Sequence, residues 1–310
     1  MPVFNTTGIR RRYSCVPFDW YYDPQSWPQR NAVYLESAQA LLEQAARAAL
    51  ERAEVQARDV GAVVVVSTTG IATPSLDARL LAPLGLPQTV RRLPIFGLGC
   101  VGGAIGLARA AMMAEAVRPA PVLLLVVELC ALWFRRDDVS KSNIVATALF
   151  GDGAAAAVLC AGGDGPRVQA SGEYTFPDTL DVMGWDVTGD GLSAIFSRDI
   201  PQLVQTQFQP VIDAYLAESQ LTRADVDVFL SHPGGTKVLD ALESAYGLAP
   251  GSLVDSRAVL AEYGNMSAVT LLFVLERALR EGALAQASWR RALLSAMGPG
   301  FTAAFVTLER

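Results

Sequence analysis

The sequence predicts an α/β protein made of two similar halves, and three observations carry that prediction. Aliphatic runs such as Val63 to Val66 and Val122 to Val127 have no polar alternation, as expected of strands covered on both faces. Between such runs, apolar residues recur at helical spacing, for example Leu35, Leu41, Leu42, Ala45, Ala49 and Leu50. Landmarks also repeat: Ser67 matches Ser231 at an offset of 164, and Cys100 matches Asn265 at an offset of 165. With 310 residues, 51% of them apolar, the chain can bury a large core, and a disordered or fibrous chain is excluded.

Taken in order, the chain opens on a turn signal at Thr7-Gly8, the basic run Arg10-Arg11-Arg12 and the aromatic stretch Phe18-Asp19-Trp20-Tyr21-Tyr22. The arginines read equally as a solvated strand or a binding site. Residues 32–53 form an amphipathic helix pattern leading into the strand at Val63 to Val66. Ser75 to Leu81 reads as a short helix stopped before Pro83. A turn around Cys100 opens an apolar helix, followed by a strand at 122–127, a helix at 138–149 and a strand at 154–159.

The run Ala161-Gly162-Gly163-Asp164-Gly165-Pro166 is the strongest loop signal, and the boundary between halves falls there, giving residues 1–163 and 164–310. Beyond it, 167–176 and 192–197 read as strands, 201–218 as a helix, 228–230 as a strand and 236–246 as a helix. A helix at 269–279 then precedes strands at 292–294 and up to 306, which flank the turn Met297-Gly298-Pro299-Gly300. The opening strands of the second half have no counterpart in the first. The first half is therefore expected to lack an N-terminal edge element, the chain beginning inside it.

A net charge of −6 with dispersed acids and bases offers no cationic footprint for nucleic acid or an anionic membrane. The apolar runs are too short to span a bilayer and the start lacks a signal-peptide pattern, so a cytoplasmic protein without an integral membrane segment is expected. Cys15, Cys100, Cys130 and Cys160 have neither C-x-x-C spacing nor the density of a secreted scaffold, which argues against disulfides and against a metal site. Gly97-Leu98-Gly99 begins like a dinucleotide fingerprint, but Gly102 and Gly103 are adjacent and no acidic residue follows at the required spacing. The chain thus has no clean dinucleotide fingerprint.

Three residues remain as candidates for chemistry. Cys100 lies among glycines at a helix start, where free N–H groups and the helix dipole favour a thiolate. From local sequence alone, a nucleophile and a small buried hydrophobe are evenly balanced there. The chain's single histidine, His232, follows Ser231 at a strand end and precedes Pro233-Gly234-Gly235, at the sheet edge where open α/β sheets place their sites. Asn265 occupies the turn equivalent to that of Cys100, and an approximate twofold relation between halves would bring the two turns together.

The motifs Gly97-Leu98-Gly99-Cys100-Val101-Gly102-Gly103, Ala148 to Ala154, Ser231 to Gly235, Tyr263-Gly264-Asn265-Met266-Ser267 and Gly298-Pro299-Gly300, in that order, resemble those of the type III polyketide synthases of the chalcone synthase superfamily. The opening Asn5 to Tyr13 and the run Val126 to Cys130 are most similar to bacterial alkylpyrone and alkylresorcinol synthases. The resemblance implies a homodimer with a thiolase-like fold, its duplicated halves in a five-layer αβαβα arrangement, and an acyltransferase of polyketide biosynthesis that needs no cofactor or metal, coenzyme A thioesters being its substrates. It implies that Cys100 takes an acyl group from an acyl-CoA, that His232 keeps the thiol ionised, and that His232 with Asn265 holds the thioester oxygen of malonyl-CoA during decarboxylative Claisen condensation. It places Phe150 as a gatekeeper and Cys130, Trp133, Ala194 and, less securely, Trp185 around the cavity, with Ser267, Gly298, Pro299 and Gly300 also at the substrate site. Those cavity residues fit a long apolar starter, giving an alkylpyrone or alkylresorcinol. The residues that bind coenzyme A stay unassigned, with Arg10, Arg11 and Arg12 as candidates. The alternatives are a β-ketoacyl synthase III-like enzyme using carrier-bound malonyl, and an inactive, truncated dimer partner.

Overall fold

The structure, a computed structural model, describes residues 7–197, 199–286 and 288–310; the start of the chain, with Asn5 and Thr6 of the opening motif, lies outside them. Two four-stranded sheets organise it. The first has the order β2-β1-β3-β4, with β1 Ala62–Val66, β2 Arg91–Ile95, β3 Val122–Leu129 and β4 Asp152–Leu159. The second has the order β5-β10-β9-β8, with β5 Arg167–Thr175, β8 Val228–Ser231, β9 Arg291–Gly298 and β10 Thr302–Glu309. A separate hairpin pairs β6 Met183–Thr188 with β7 Gly191–Phe196.

Side-chain alternation along these strands assigns the layers. Val64, Val66, Leu124 and Val126 of the first sheet face the same core as Leu294, Ala296, Ala304 and Val306 of the second. That core is filled by α3 (Gly102–Val117) and α8 (Ala268–Arg280). Val63, Val65, Leu123 and Leu125 face outward onto α1 (Trp27–Arg52) and α2 (Leu76–Leu84). Leu293, Ala303 and Phe305 face α5 (Ile200–Glu218) and α6 (Thr236–Tyr246) on the other side. The result is the αβαβα order, and it explains why the central strands read as unbroken apolar runs.

Local chemistry sets the helix limits. α1 starts where the Ser26 N–H donates to Gln29 Oε1 at 2.9 Å with Pro28 in the first turn, and it buries Tyr34, Ala38, Leu42, Ala46 and Leu50 along one stripe. α2 runs past its expected stop. Pro83 sits in the final turn, where its ring removes a single backbone bond, and Leu84 is still buried before Gly85 caps the helix at φ 71°.

Several elements depart from the sequence reading. β2 escaped it because Arg91, Arg92 and Pro94 are poor residues for an inner strand, but β2 is an edge strand, where they are tolerated. β4 and β10 run antiparallel to β3 and β9, so the sheets are mixed rather than parallel. α7 (Val254–Tyr263) has no apolar stripe, because its adjacent Val259 and Leu260 serve different cores. The repeat holds in space: β1, β3, β4 and α3 correspond to β8, β9, β10 and α8. β10 is flanked by β5, whereas among the described residues no strand lies on the matching edge of β4. The stretch Gly99–Val117 is, by length and composition, apolar enough to cross a membrane, with mean hydropathy 1.4. Here it lies between the two sheets, which accounts for its apolar character.

The closest approach in the middle layer is between Gly103 of α3 and the Ala268 carbonyl of α8, where a Cβ on Gly103 would overlap the carbonyl oxygen. Gly103→Ala must push apart two helices wedged between sheets. It should lower the unfolding free energy by about 1–3 kcal/mol in urea denaturation. Gly165→Ala, in open space in the inter-half loop, should stay within about 0.5 kcal/mol of the native protein. Equal stability of the two variants would contradict this account of the middle layer.

Candidate active site

Four chain turns meet where the halves join. Ser67 and Thr68 follow β1, and His232 follows β8 at the equivalent place. Cys100 lies in the single 3-10 turn Gly99–Val101 that leads into α3, and Asn265 lies between α7 and α8. The repeated architecture thus brings Cys100, His232 and Asn265 to one cavity of about 270 Å³, as the pairing of turns predicted. All three are buried, at 6%, 4% and 2% exposure.

Backbone bonds hold these turns. Gly99 takes φ 48°, which favours glycine, and its N–H donates to Thr68 Oγ1 at 3.0 Å. The Asn265 N–H donates to the Leu149 carbonyl at 2.9 Å, and its own carbonyl accepts from the Gly151 N–H at 3.0 Å, tying the turn to the segment around Phe150. The His232 N–H donates to the Ser295 carbonyl at 2.8 Å.

The side chains divide into engaged and unengaged groups. Asn265 Oδ1 accepts from the Ser267 N–H at 2.8 Å and from Cys100 Sγ at 3.9 Å, so the amide nitrogen is the part left to donate. Both ring nitrogens of His232 are buried and lack a hydrogen-bond partner. Unpaired buried polar atoms are rare and call for an explanation, and a ring aimed at a substrate supplies one. Burial pushes the Cys100 thiol up to about 12 and the His232 imidazole down to about 3, so the two rest as neutral groups. The helix start that the sequence offered as a means of lowering the thiol pKa is outweighed by desolvation.

Glu128 is the residue that sequence reasoning missed. It is fully buried at the end of β3, with Oε2 accepting from the Thr68 N–H at 3.0 Å and Oε1 without a partner. Desolvation raises its pKa to about 7, opposed chiefly by the hydrogen bond from the Thr68 N–H. The signal was present: a lone carboxylate inside an otherwise apolar run is costly unless it has a role.

The remaining predicted positions fall into two groups. Phe150, Cys130 and Ala146 pack with Cys100, and the Phe150 ring lies 5.5 Å from that of Phe196, which lines the cavity. Cys130, Trp133, Trp185 and Ala194 surround a space of only about 10 Å³, with Trp133 Nε1 donating to the Thr69 carbonyl at 2.7 Å. Gly298, Pro299 and Gly300 are not on the lining of the Cys100 cavity. They seat the nucleophile turn from behind: a Cβ on Gly298 would crowd Val101, and Pro299 packs against Gly99.

The three arginines are also elsewhere. Arg10 pairs with Glu262, and Arg12 donates to the Thr147 and Phe150 carbonyls. With Arg11 they line a separate groove of about 730 Å³ that shares only Thr7 with the Cys100 cavity. Arg10 and Arg12 are held by an acid and by local carbonyls because their extended segment packs along α7, where the Arg10 N–H donates to the Ala261 carbonyl at 2.7 Å, and along the Phe150 turn.

Comparison with known proteins agrees with this arrangement. Residues 21–163 match the model of the chalcone and stilbene synthase N-terminal domain, and residues 167–309 match that of the C-terminal domain. The chain is 39% identical to a putative chalcone synthase of Bacillus subtilis (strain 168), over 96% of this chain and 85% of the relative. It is 40% identical to the 1,3,6,8-tetrahydroxynaphthalene synthase of Streptomyces peucetius subsp. caesius, over 99% and 82%. The crystal structure of the 1,3,6,8-tetrahydroxynaphthalene synthase of Streptomyces coelicolor A3(2), a bacterial type III polyketide synthase, superposes with a TM-score of 0.94 at 31% identity, covering 99% of this chain and 88% of that one.

The buried Glu128 gives a pH dependence with a definite sign. Its pKa rises from 4.5 to about 7 on folding, so between those values the folded protein keeps a proton that the unfolded chain has released. Its contribution to stability therefore falls as pH rises through that window. Glu128→Gln retains an acceptor for the Thr68 N–H and removes the titration. Between pH 4.5 and 8, urea denaturation should show the native protein losing about 3 kcal/mol relative to the variant. A difference that does not change with pH would contradict the assignment.

Proposed function

The chain belongs to the chalcone and stilbene synthase family and is a type III polyketide synthase, an acyltransferase; on that premise we propose that it condenses malonyl-CoA onto an acyl group carried by Cys100. The observation that carries this reading is the convergence of a buried thiol, an unpartnered imidazole and an amide in one apolar cavity. In the first step, Cys100 Sγ gives its proton to His232. The thiolate attacks the thioester carbonyl of the starter, forming acyl-Cys100 and releasing free CoA after reprotonation of its sulfur. Each charge alone is disfavoured by burial, but together they attract strongly in a dry site, so the pair ionises as a unit.

In the second step, malonyl-CoA loses carbon dioxide. The electron pair of the broken C–C bond forms an enolate, whose oxygen takes hydrogen bonds from His232 and the Asn265 amide nitrogen. Donors already fixed where charge develops stabilise that state without reorganisation. The enolate carbon then attacks acyl-Cys100, the Cys100 thiolate leaves, and a β-ketoacyl-CoA is formed.

For the product, the geometry best supports a short starter and a compact polyketide. The space beside Cys130, lined by Trp133 and Trp185 among others, is only about 10 Å³ and leaves no room for a long chain on that side. The relatives named for tetrahydroxynaphthalene make a product without an alkyl tail. A long acyl-CoA starter, giving an alkylpyrone or alkylresorcinol, is the second reading. It is favoured by the apolar wall of Val145, Leu149, Met183 and Ile200 around Cys100.

Radiolabelled malonyl-CoA, supplied with starters from acetyl to palmitoyl, tests both readings. Labelled product should form fastest with short starters, or with malonyl-CoA alone, and Cys100→Ala should reduce it at least ~1,000-fold. Preference for long starters would select the alkyl products, and activity only with carrier-bound malonyl would select a ketoacyl synthase. His232→Gln should slow iodoacetamide alkylation of Cys100 at pH 7 by about tenfold or more, since the thiolate loses its partner ion. An unchanged alkylation rate would remove His232 from the ionisation step.

A further inference from the structure

We infer that Lys237 holds the phosphate groups of the CoA thioester at the rim of the Cys100 cavity, an assignment that rests on the condensing reading above. Among the described residues, Lys237 is the one lysine, arginine or acid on the lining of that cavity, whose walls are otherwise apolar or neutral. It is exposed and is the second residue of α6. His232, both of whose ring nitrogens lack partners, lies in the same cavity only five residues earlier, across the turn Pro233-Gly234-Gly235. One short segment therefore sets both ends of the site.

The chemistry of the substrate fits that span. In an acyl-CoA, an uncharged pantetheine arm separates the thioester from the phosphates. A thioester carbonyl within reach of Cys100 must lay that arm along the apolar wall and leave the phosphates where the cavity opens. A cation there meets a multiply charged group, and the N-terminal end of the 11-residue helix α6 adds positive potential of the same sign. Lys237 makes no ion pair among the described residues, and Asp240, one turn on, is taken by Arg257 at 2.6 Å. Of the arginines that the sequence offered for this task, Arg10 is committed to Glu262 and Arg12 to backbone carbonyls, and all three line the separate groove rather than this cavity. The chain also has only two lysines among its 25 basic residues, the other being Lys141 on α4 (Lys141–Leu149).

Calorimetric titration with coenzyme A and with pantetheine, which lacks the phosphates, tests the assignment on the full chain. Lys237→Ala should weaken coenzyme A binding about tenfold and Lys237→Glu more, while pantetheine binding stays within twofold of the native protein and Lys141→Ala binds both as the native protein does. In both Lys237 variants the loss should appear in KM for malonyl-CoA. Native-like coenzyme A affinity in both Lys237 variants, or an equal loss for pantetheine, overturns the assignment. Carbon dioxide release from malonyl-CoA by the native protein is measured in parallel. Its absence with intact coenzyme A binding contradicts the condensing reading, while the titrations still decide the role of Lys237.

Discussion

The approach of α3 to α8 without an intervening side chain is the constraint on which the site depends. Gly103 faces the Ala268 carbonyl, and Gly102 sits against Val66 and Ala268. These helices form the middle layer, and each begins at one of the two critical turns, Cys100 before α3 and Asn265 before α8. Any increase in their separation moves the thiol away from the amide. Glycine is needed here for space rather than for unusual backbone angles, since neither position has a positive φ. The parallel bridge between Phe150 and Asn265 locks the same region from the other side.

Burial then determines the chemistry. A water-exposed cysteine would titrate near its ordinary value, but this cavity holds the thiol and the imidazole neutral and leaves both imidazole nitrogens without partners. A buried polar group in that state destabilises the resting protein, so its retention calls for a role, and the proposed condensation supplies one. Glu128 adds a third buried ionisable group beside the same turns, its Oε2 accepting from the Thr68 N–H.

Much of this was legible in the sequence because two independent patterns agreed. Strands buried on both faces announce themselves as unbroken aliphatic runs, and the repeat offset between Cys100 and Asn265 predicted that their turns would meet. What was not legible had local causes. β2 carries the residues of an exposed edge, Pro83 is tolerated only because its helix ends there, and α7 divides its apolar residues between two cores. Trp133 and Ala194 could be assigned to the cavity but not weighed against each other, since the outcome depends on how far the indole fills the space the alanine leaves. Arg10 and Arg12 of the opening segment looked available until the fold placed Glu262 beside the first and two carbonyls beside the second.

The central claim is that Cys100, through its position between the halves, is the acyl carrier. Cys160 is exposed and Cys15 half-buried, so they are the competing thiols that an indiscriminate reaction would modify first. Intact-protein and peptide mass spectrometry after brief exposure to an acyl-CoA measures the outcome directly. The account predicts a single acyl adduct, on Cys100, that disappears when malonyl-CoA is added. An adduct on Cys15 or Cys160 with Cys100 unmodified, or an acyl-Cys100 that persists in the presence of malonyl-CoA, would contradict it.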